Sequence, residues 1–237
     1  MKILAIDSSA KAASVALVED GRLLGEFFIN VGLTHSQTLM PMVENLLKNT
    51  GVKLSEVEAF AVSAGPGSFT GLRIGIASVK GLALLSDTPC VGVSTLEAMA
   101  YNFIGEDALV CAVMDARCNQ VYNAIFEVNS GKVTRLTPDR TISIDELSVE
   151  MAALGREAVF VGDGALLCYN RNINGLNVRL APEAKRFQRA SSVAFAALAS
   201  LASGQEPVSS EALAPTYLRI PQAERELKRK SQQGGSL

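Results

Sequence analysis

The sequence predicts a duplicated, two-lobed α/β protein, and three observations carry that reading. Each half opens with an apolar strand closed by an acid: Lys2–Ile6 runs into Asp7, and Leu109–Met114 runs into Asp115. Each opening is followed by a second strand and a glycine turn at matched spacing, Gly21 lying 14 residues after Asp7 and Gly131 lying 16 after Asp115. The first hundred residues then alternate short β-rich runs with longer amphipathic ones, the order strand–strand–strand–helix–strand–helix. Two βββαβα units in tandem, with a cleft between them, accommodate all three.

Taken in order, Lys2–Ile6, Ser14–Val18 and Leu23–Ile29 are β-rich, and Glu19-Asp20-Gly21-Arg22 supplies the turn between the last two. Ser36–Asn49 carries Leu39, Met42, Val43, Leu46 and Leu47 on one side and stops at Gly51, the pattern of an amphipathic helix with a glycine cap. Val57–Val62 is a strand, Thr70–Leu85 a helix, Cys90–Val93 a short strand and Thr95–Phe103 a further helix. In the second half, Gln120–Val128 and Lys132–Leu136 flank the Gly131 turn. Ile144–Leu154 reads as a helix, Ala158–Val161 as a strand and Ser191–Ser203 as an Ala-rich helix ended by Gly204. The expected divisions are a first lobe over 1–105, a second over 106–222 whose last part packs back on the first, and a flexible charged tail over 223–237.

Composition narrows the function classes. A net charge of −2 leaves no broad basic footprint for an autonomous nucleic-acid-binding surface. Asp7 interrupts the N-terminal apolar run too early for a signal peptide, and no run of 18 uncharged apolar residues exists, so the expectation is a cytoplasmic chain. Cys90, Cys111, Cys118 and Cys168 form no C-x-x-C pair and read as reduced, mostly buried thiols. His35 is the single histidine, which removes any His-rich metal site; at a helix start it suits a capping or interface role.

The densest motif is Ser63-Ala64-Gly65-Pro66-Gly67-Ser68-Phe69-Thr70-Gly71-Leu72-Arg73-Ile74-Gly75. A strand feeding a glycine turn and then a helix N-terminus gathers free N–H groups and a positive helix end. Gly65 and Gly67 would let a phosphate, or another backbone, approach closely. Asp7, with Ser8 after it, reads either as a phosphate-proximal carboxylate or as a strand-end acid satisfying turn amides. The lysine of a G-x-x-x-x-G-K-[ST] loop is missing. The Thr70–Leu85 helix carries only Arg73 and Lys80 as charges, seven residues apart on one narrow stripe. An otherwise apolar, small-residue helix points to a subunit interface, with Leu39 and Val43 of the preceding helix and Leu72, Gly75, Ile76, Val79 and Ala83 of this one as its candidates.

These residues also carry a family resemblance. The opening I-L-A-I-D-S-S, then T-H-S-Q-T-L-M-P-M-V, G-P-G-S-F-T-G-L-R-I-G, G-V-S-T-L-E-A-M-A and the late P-T-Y-L-R resemble the TsaB family, also called YeaZ. The resemblance implies an actin-like ATPase fold of the Hsp70 and sugar-kinase type, and a role in making threonylcarbamoyladenosine in tRNA. It further implies pairing with the related catalytic subunit TsaD, self-pairing when that partner is absent, and work alongside the small ATPase TsaE, with tRNA reached indirectly. TsaD holds a metal through an H-x-x-x-H pair, and Thr95 and Met99 stand in those two positions here. A hydroxyl and a thioether do not replace two imidazoles at such a metal. The expectation is therefore a non-catalytic subunit with no metal and no required cofactor, leaving room for weak ATP or ADP with Mg in the complex. The alternative is an autonomous actin-fold ATPase or kinase built on Asp7 and the Gly65–Gly67 turn.

Overall fold

A computed structural model of the chain describes residues 1–171 and 176–219. In the first lobe, β1 (Lys2–Asp7), β2 (Ala13–Glu19) and β3 (Arg22–Ile29) form an antiparallel meander. The turn joining β2 to β3 places Asp20 and Gly21 at positive φ, the geometry that a two-residue hairpin demands. Helix α1 (His35–Thr50), ended by Gly51 at φ 70°, leads to β4 (Ala59–Gly65), and α2 (Phe69–Leu84) leads to β5 (Cys90–Ser94). Both strands add in parallel, giving the order β3-β2-β1-β4-β5. A short α3 (Thr95–Ala100) closes the unit.

The second lobe repeats this plan. Strands β6 (Ala108–Asp115), β7 (Gln120–Asn129) and β8 (Lys132–Arg135) form the meander. Strand β9 (Arg140–Ser143), helix α4 (Ile144–Leu154), β10 (Ala158–Val161), α5 (Ala165–Arg171) and β11 (Val178–Leu180) follow. The order β11-β10-β6-β7-β8 is the first lobe's order over again, and two such units in tandem make the actin-like ATPase architecture. The predicted third strand over Lys132–Leu136 is β8, and it shares its role with an unpredicted strand: β8 pairs with the far end of β7 and β9 with its start. The predicted strand over Val57–Val62 starts two residues later, since Val57 still closes a 3₁₀ turn over Leu54–Glu56. Among the described residues no helix is long and apolar enough to cross a membrane. The predicted tail over 223–237 lies outside the described residues, as do residues 220–222.

Helices α1 and α2 cover one face of the first sheet, where Leu39, Val43, Ile76, Val79 and Ala83 join Leu4, Ile6, Phe60 and Val62 in a single buried cluster. The other face is covered from far along the chain. After α6 (Glu183–Arg186), helix α7 (Ala190–Ala202) returns to lay Val193, Ala194 and Ala197 on Ile3, Ala5, Ala61 and Val91. Its Ala-rich surface lets it sit close to the sheet. The first lobe also caps it: the Glu26 carboxylate accepts the Ser191 N–H at 3.1 Å and pairs with Arg189, and Ser14 Oγ accepts the Ala190 N–H. Beyond α7, Val208 bridges to Cys90 at the sheet edge and Leu213 enters the first lobe's core.

The seven interface candidates need correction as surface contacts. Leu39, Val43, Leu72, Gly75, Ile76, Val79 and Ala83 are all buried by the lobe's own sheet. Helix α2 is apolar because one side faces that sheet and another is crossed by the returning chain, to which Arg73 and Lys80 bond.

Candidate functional site

Four sequence motifs converge where β1 and β4 end. Asp7 is 1% exposed. One carboxylate oxygen accepts the Ser9 N–H at 2.9 Å and the Ser9 hydroxyl at 2.8 Å, and the other accepts the Ser63 hydroxyl. Burial raises its pKa above the usual carboxylate value, and the serine hydrogen bonds oppose that rise. Ser8 turns the other way and donates to the Gly71 carbonyl at 2.9 Å. Asp7 is thus a strand-end acid consumed by its own turn.

The glycines of the motif are demanded by the chain itself. A Cβ on Gly67 would lie 2.5 Å from the Ser9 carbonyl oxygen, to which the Ser68 N–H donates. One on Gly71 would strike the Ser8 carbonyl, one on Gly75 the Ser8 hydroxyl, and one on Gly65, at φ 132°, the Thr216 carbonyl. The Thr216 N–H bonds the Ala64 carbonyl at 2.7 Å, so the late P-T-Y-L-R segment is strapped over the turn. Backbone already fills the space that phosphate was expected to use. Of Asp7, Ser8, Gly65 and Gly67, only Gly67 lines the inter-lobe cleft.

That cleft has a volume of about 570 Å³ and lies between the β1–β2 turn, the glycine turn, the β6–β7 turn and the strap. Lys11, Arg117 and Tyr217 border it, and Tyr217 stacks on Phe69 with ring centroids 4.7 Å apart. Asp115, which mirrors Asp7, is exposed and accepts the backbone N–H of Arg117 at 2.7 Å. Arg117, Cys118 and Asn119 all sit at positive φ, and Arg219 clamps their turn through the Ala116 carbonyl and the Gln120 side chain.

Sequence reasoning missed Asp163. It sits in Gly162-Asp163-Gly164, the second lobe's counterpart of the glycine turn, between β10 and α5. A Cβ on Gly162 would strike the Val113 carbonyl, and one on Gly164 would meet the Met114 carbonyl carbon at 2.9 Å. Burial, with Asp115 and Asp7 nearby, pushes the Asp163 pKa to about 6, while the Gln188 amide donates to it at 3.1 Å. The available signal was a G-x-G after the fourth strand of the repeat.

Thr95 and Met99 are buried in α3, Met99 within the second lobe's core. His35 opens α1 and places a ring nitrogen 2.8 Å from the Ala10 carbonyl, tying that helix to the β1–β2 turn. Cys90, Cys111 and Cys168 are buried and Cys118 is exposed. On the outer side, Arg73, Ala77, Gly81 and Leu84 form an exposed stripe on α2, and Met40 and Pro41 are exposed on α1, the helix packed against it; Leu84 is 70% exposed.

A family model described as TsaD, tRNA N6-adenosine threonylcarbamoyltransferase, matches residues 30–227. The tRNA threonylcarbamoyladenosine biosynthesis protein TsaB of Bacillus subtilis (strain 168) is 30% identical over 226 residues, 94% of this chain and 96% of that protein. The protein of the same name from Escherichia coli (strain K12) is 38% identical over 69% of this chain and 72% of its own. Among solved structures, YeaZ from Pseudomonas aeruginosa superposes with a TM-score of 0.80 at 31% identity, covering 92% of this chain and 99% of that one. With relatives of that name matching it nearly end to end, the chain belongs to the TsaB family.

Proposed function

We propose that this chain is a non-catalytic subunit of the machinery that forms threonylcarbamoyladenosine in tRNA, pairing with TsaD and holding it in its active arrangement. TsaE supports turnover of that complex, and the chain reaches tRNA chiefly through its partners, in the cytoplasm. The observation that carries this reading is the filled glycine turn: Ser9 and Thr216 carbonyls occupy the approach to Gly67 and Gly65, and Asp7 is spent on Ser9 and Ser63. A chain whose phosphate-side geometry serves its own packing acts through its surfaces. The names of its relatives support the biosynthetic setting.

The surface best suited to TsaD is the outer stripe of α2 with α1, where Ala77 and Gly81 allow close approach and Met40 and Leu84 supply apolar contact. The same stripe would cover itself in a two-fold homodimer when TsaD is absent. Leu84→Glu places a charge on that surface without touching the core. Burying it without a counter-ion is costly. Sedimentation should show both self-association and TsaD binding weakened at least about 100-fold, with tRNA modification by the reconstituted complex falling in step. Full-strength binding by a folded Leu84→Glu chain would move the partner site elsewhere. Robust ATP hydrolysis by the chain alone would favour the autonomous enzyme.

A further inference from the structure

The inter-lobe cleft is not used by the proposed pairing, and its chemistry is specific. Arg73 lies over the Phe69 ring at 3.8 Å from its centroid, Phe69 stacks on Tyr217 at 4.7 Å, and Arg73 also donates to the Tyr217 hydroxyl at 3.0 Å. The three side chains form one interlocked cluster at the cleft, with Tyr217 37% exposed. Two exposed cations, Lys11 from the first lobe and Arg117 from the second, stand at the same opening. The half-buried carboxylate of Asp163 also lines the cavity. A flat π-system has somewhere to stack, an anion has two cations at the entrance, and the carboxylate disfavours phosphate beside it. The cavity, about 570 Å³, is large enough for one nucleotide unit.

We propose that this cleft binds one unpaired nucleotide of an RNA strand, its base against Tyr217 and its phosphate between Lys11 and Arg117. The recognised chemistry is a base joined to a phosphate, which a free nucleotide also offers. The RNA source is favoured because the cleft is open, its cations are exposed, and the expected phosphate cradle of a bound nucleotide is filled by backbone. Stacking on an aromatic ring serves any base, so the contact is strand-specific without being sequence-specific. The proposal rests on the reading of the chain as part of a tRNA-modifying complex.

The test is anisotropy of the full chain with a fluorescein-labelled single-stranded oligoadenylate at several salt concentrations, with a duplex RNA, AMP and ATP as competitors. Single strands should bind, and duplex and free nucleotides should compete poorly. Tyr217→Ala should weaken binding about tenfold while Tyr217→Phe preserves it, separating the stack from the strap's hydrogen bond. Lys11→Ala and Arg117→Asn should each reduce the salt slope by about 0.7; asparagine is chosen because it tolerates the positive φ of 62° at position 117. A chain ending at Arg219 should keep the Tyr217 effect, although the sequence beyond it carries Arg225, Lys228, Arg229 and Lys230. Binding that ignores all three cleft residues, or that vanishes only with that truncation, overturns the proposal. So does displacement of the strand by stoichiometric AMP or ATP. TsaD association measured on the same variants keeps the two readings apart: intact pairing without RNA binding sinks only the cleft.

Discussion

Asp7 shows how a side chain that carries a motif can be tied into the fold by its own turn. Asp7→Ala would strand the Ser63 hydroxyl and the Ser9 N–H in the interior, and unfolding in denaturant should show a loss of about 2–4 kcal/mol. Asp7→Asn keeps one acceptor and removes a charge that burial already disfavours, so it should cost less. Asp163 gives a pH signature. Its folded pKa, near 6, lies above the ordinary 3.8, so the native state holds this proton more tightly than the unfolded chain does. Stability from this group is therefore full below about pH 4 and is lost as pH rises through 6, by roughly 3 kcal/mol. Melting temperatures of Asp163→Asn should lack that slope between pH 4 and 6 and exceed those of the parent chain at pH 7.5. The position of Asp7 was legible in the sequence, because a strand-ending acid before two serines has few roles. Its saturation by Ser63, 56 residues away, was not, since such distant partners leave no local pattern.

At the scale of elements, hydrophobic period located most helices and strands, and it failed where segments were too short to show one. β11 spans three residues and α6 four, below any readable repeat. The apolar helix α2 was read as a partner surface because a sequence does not say how many sides its own chain will cover. Two of its glycines separate packing from propensity. A methyl group on Gly81 would meet nothing within 4 Å, so Gly81→Ala should raise stability by about 0.5–1 kcal/mol. Gly71 faces the Ser8 carbonyl, a backbone atom that does not swing aside, so Gly71→Ala should lose about 3 kcal/mol or more. Thermal melts of the two alanine variants should move in opposite directions.

In the whole molecule the lobes are tied together at several points. Arg135 of the second lobe pairs with Glu97 of the first, and Ser94 donates to Asp139 at 2.6 Å. Arg219 ties the strap to the β6–β7 turn. The tandem repeat was legible because both units open alike, whereas the route of α7 back to the first sheet depends on three-dimensional connection alone. That route gives a direct expectation for fragments. Residues 1–105 alone would leave Ile3, Ala5, Ala16 and Val91 uncovered on one sheet face. Such a fragment should lack a cooperative unfolding transition, and a peptide spanning residues 188–217 should restore one when added to it.

The same route sets an order of events during protein synthesis. The ribosome emits every strand of the first sheet by Ser94, yet the helix that shields its second face is not complete until Ala202. At a synthesis rate of about 5–20 residues per second, the nascent sheet waits roughly 5–20 seconds for its cover. During that interval the exposed face is a target for chaperones and for neighbouring nascent chains. Folding of the first lobe is therefore timed by α7, and a pause or truncation before Ala202 is made would endanger the lobe that was made first.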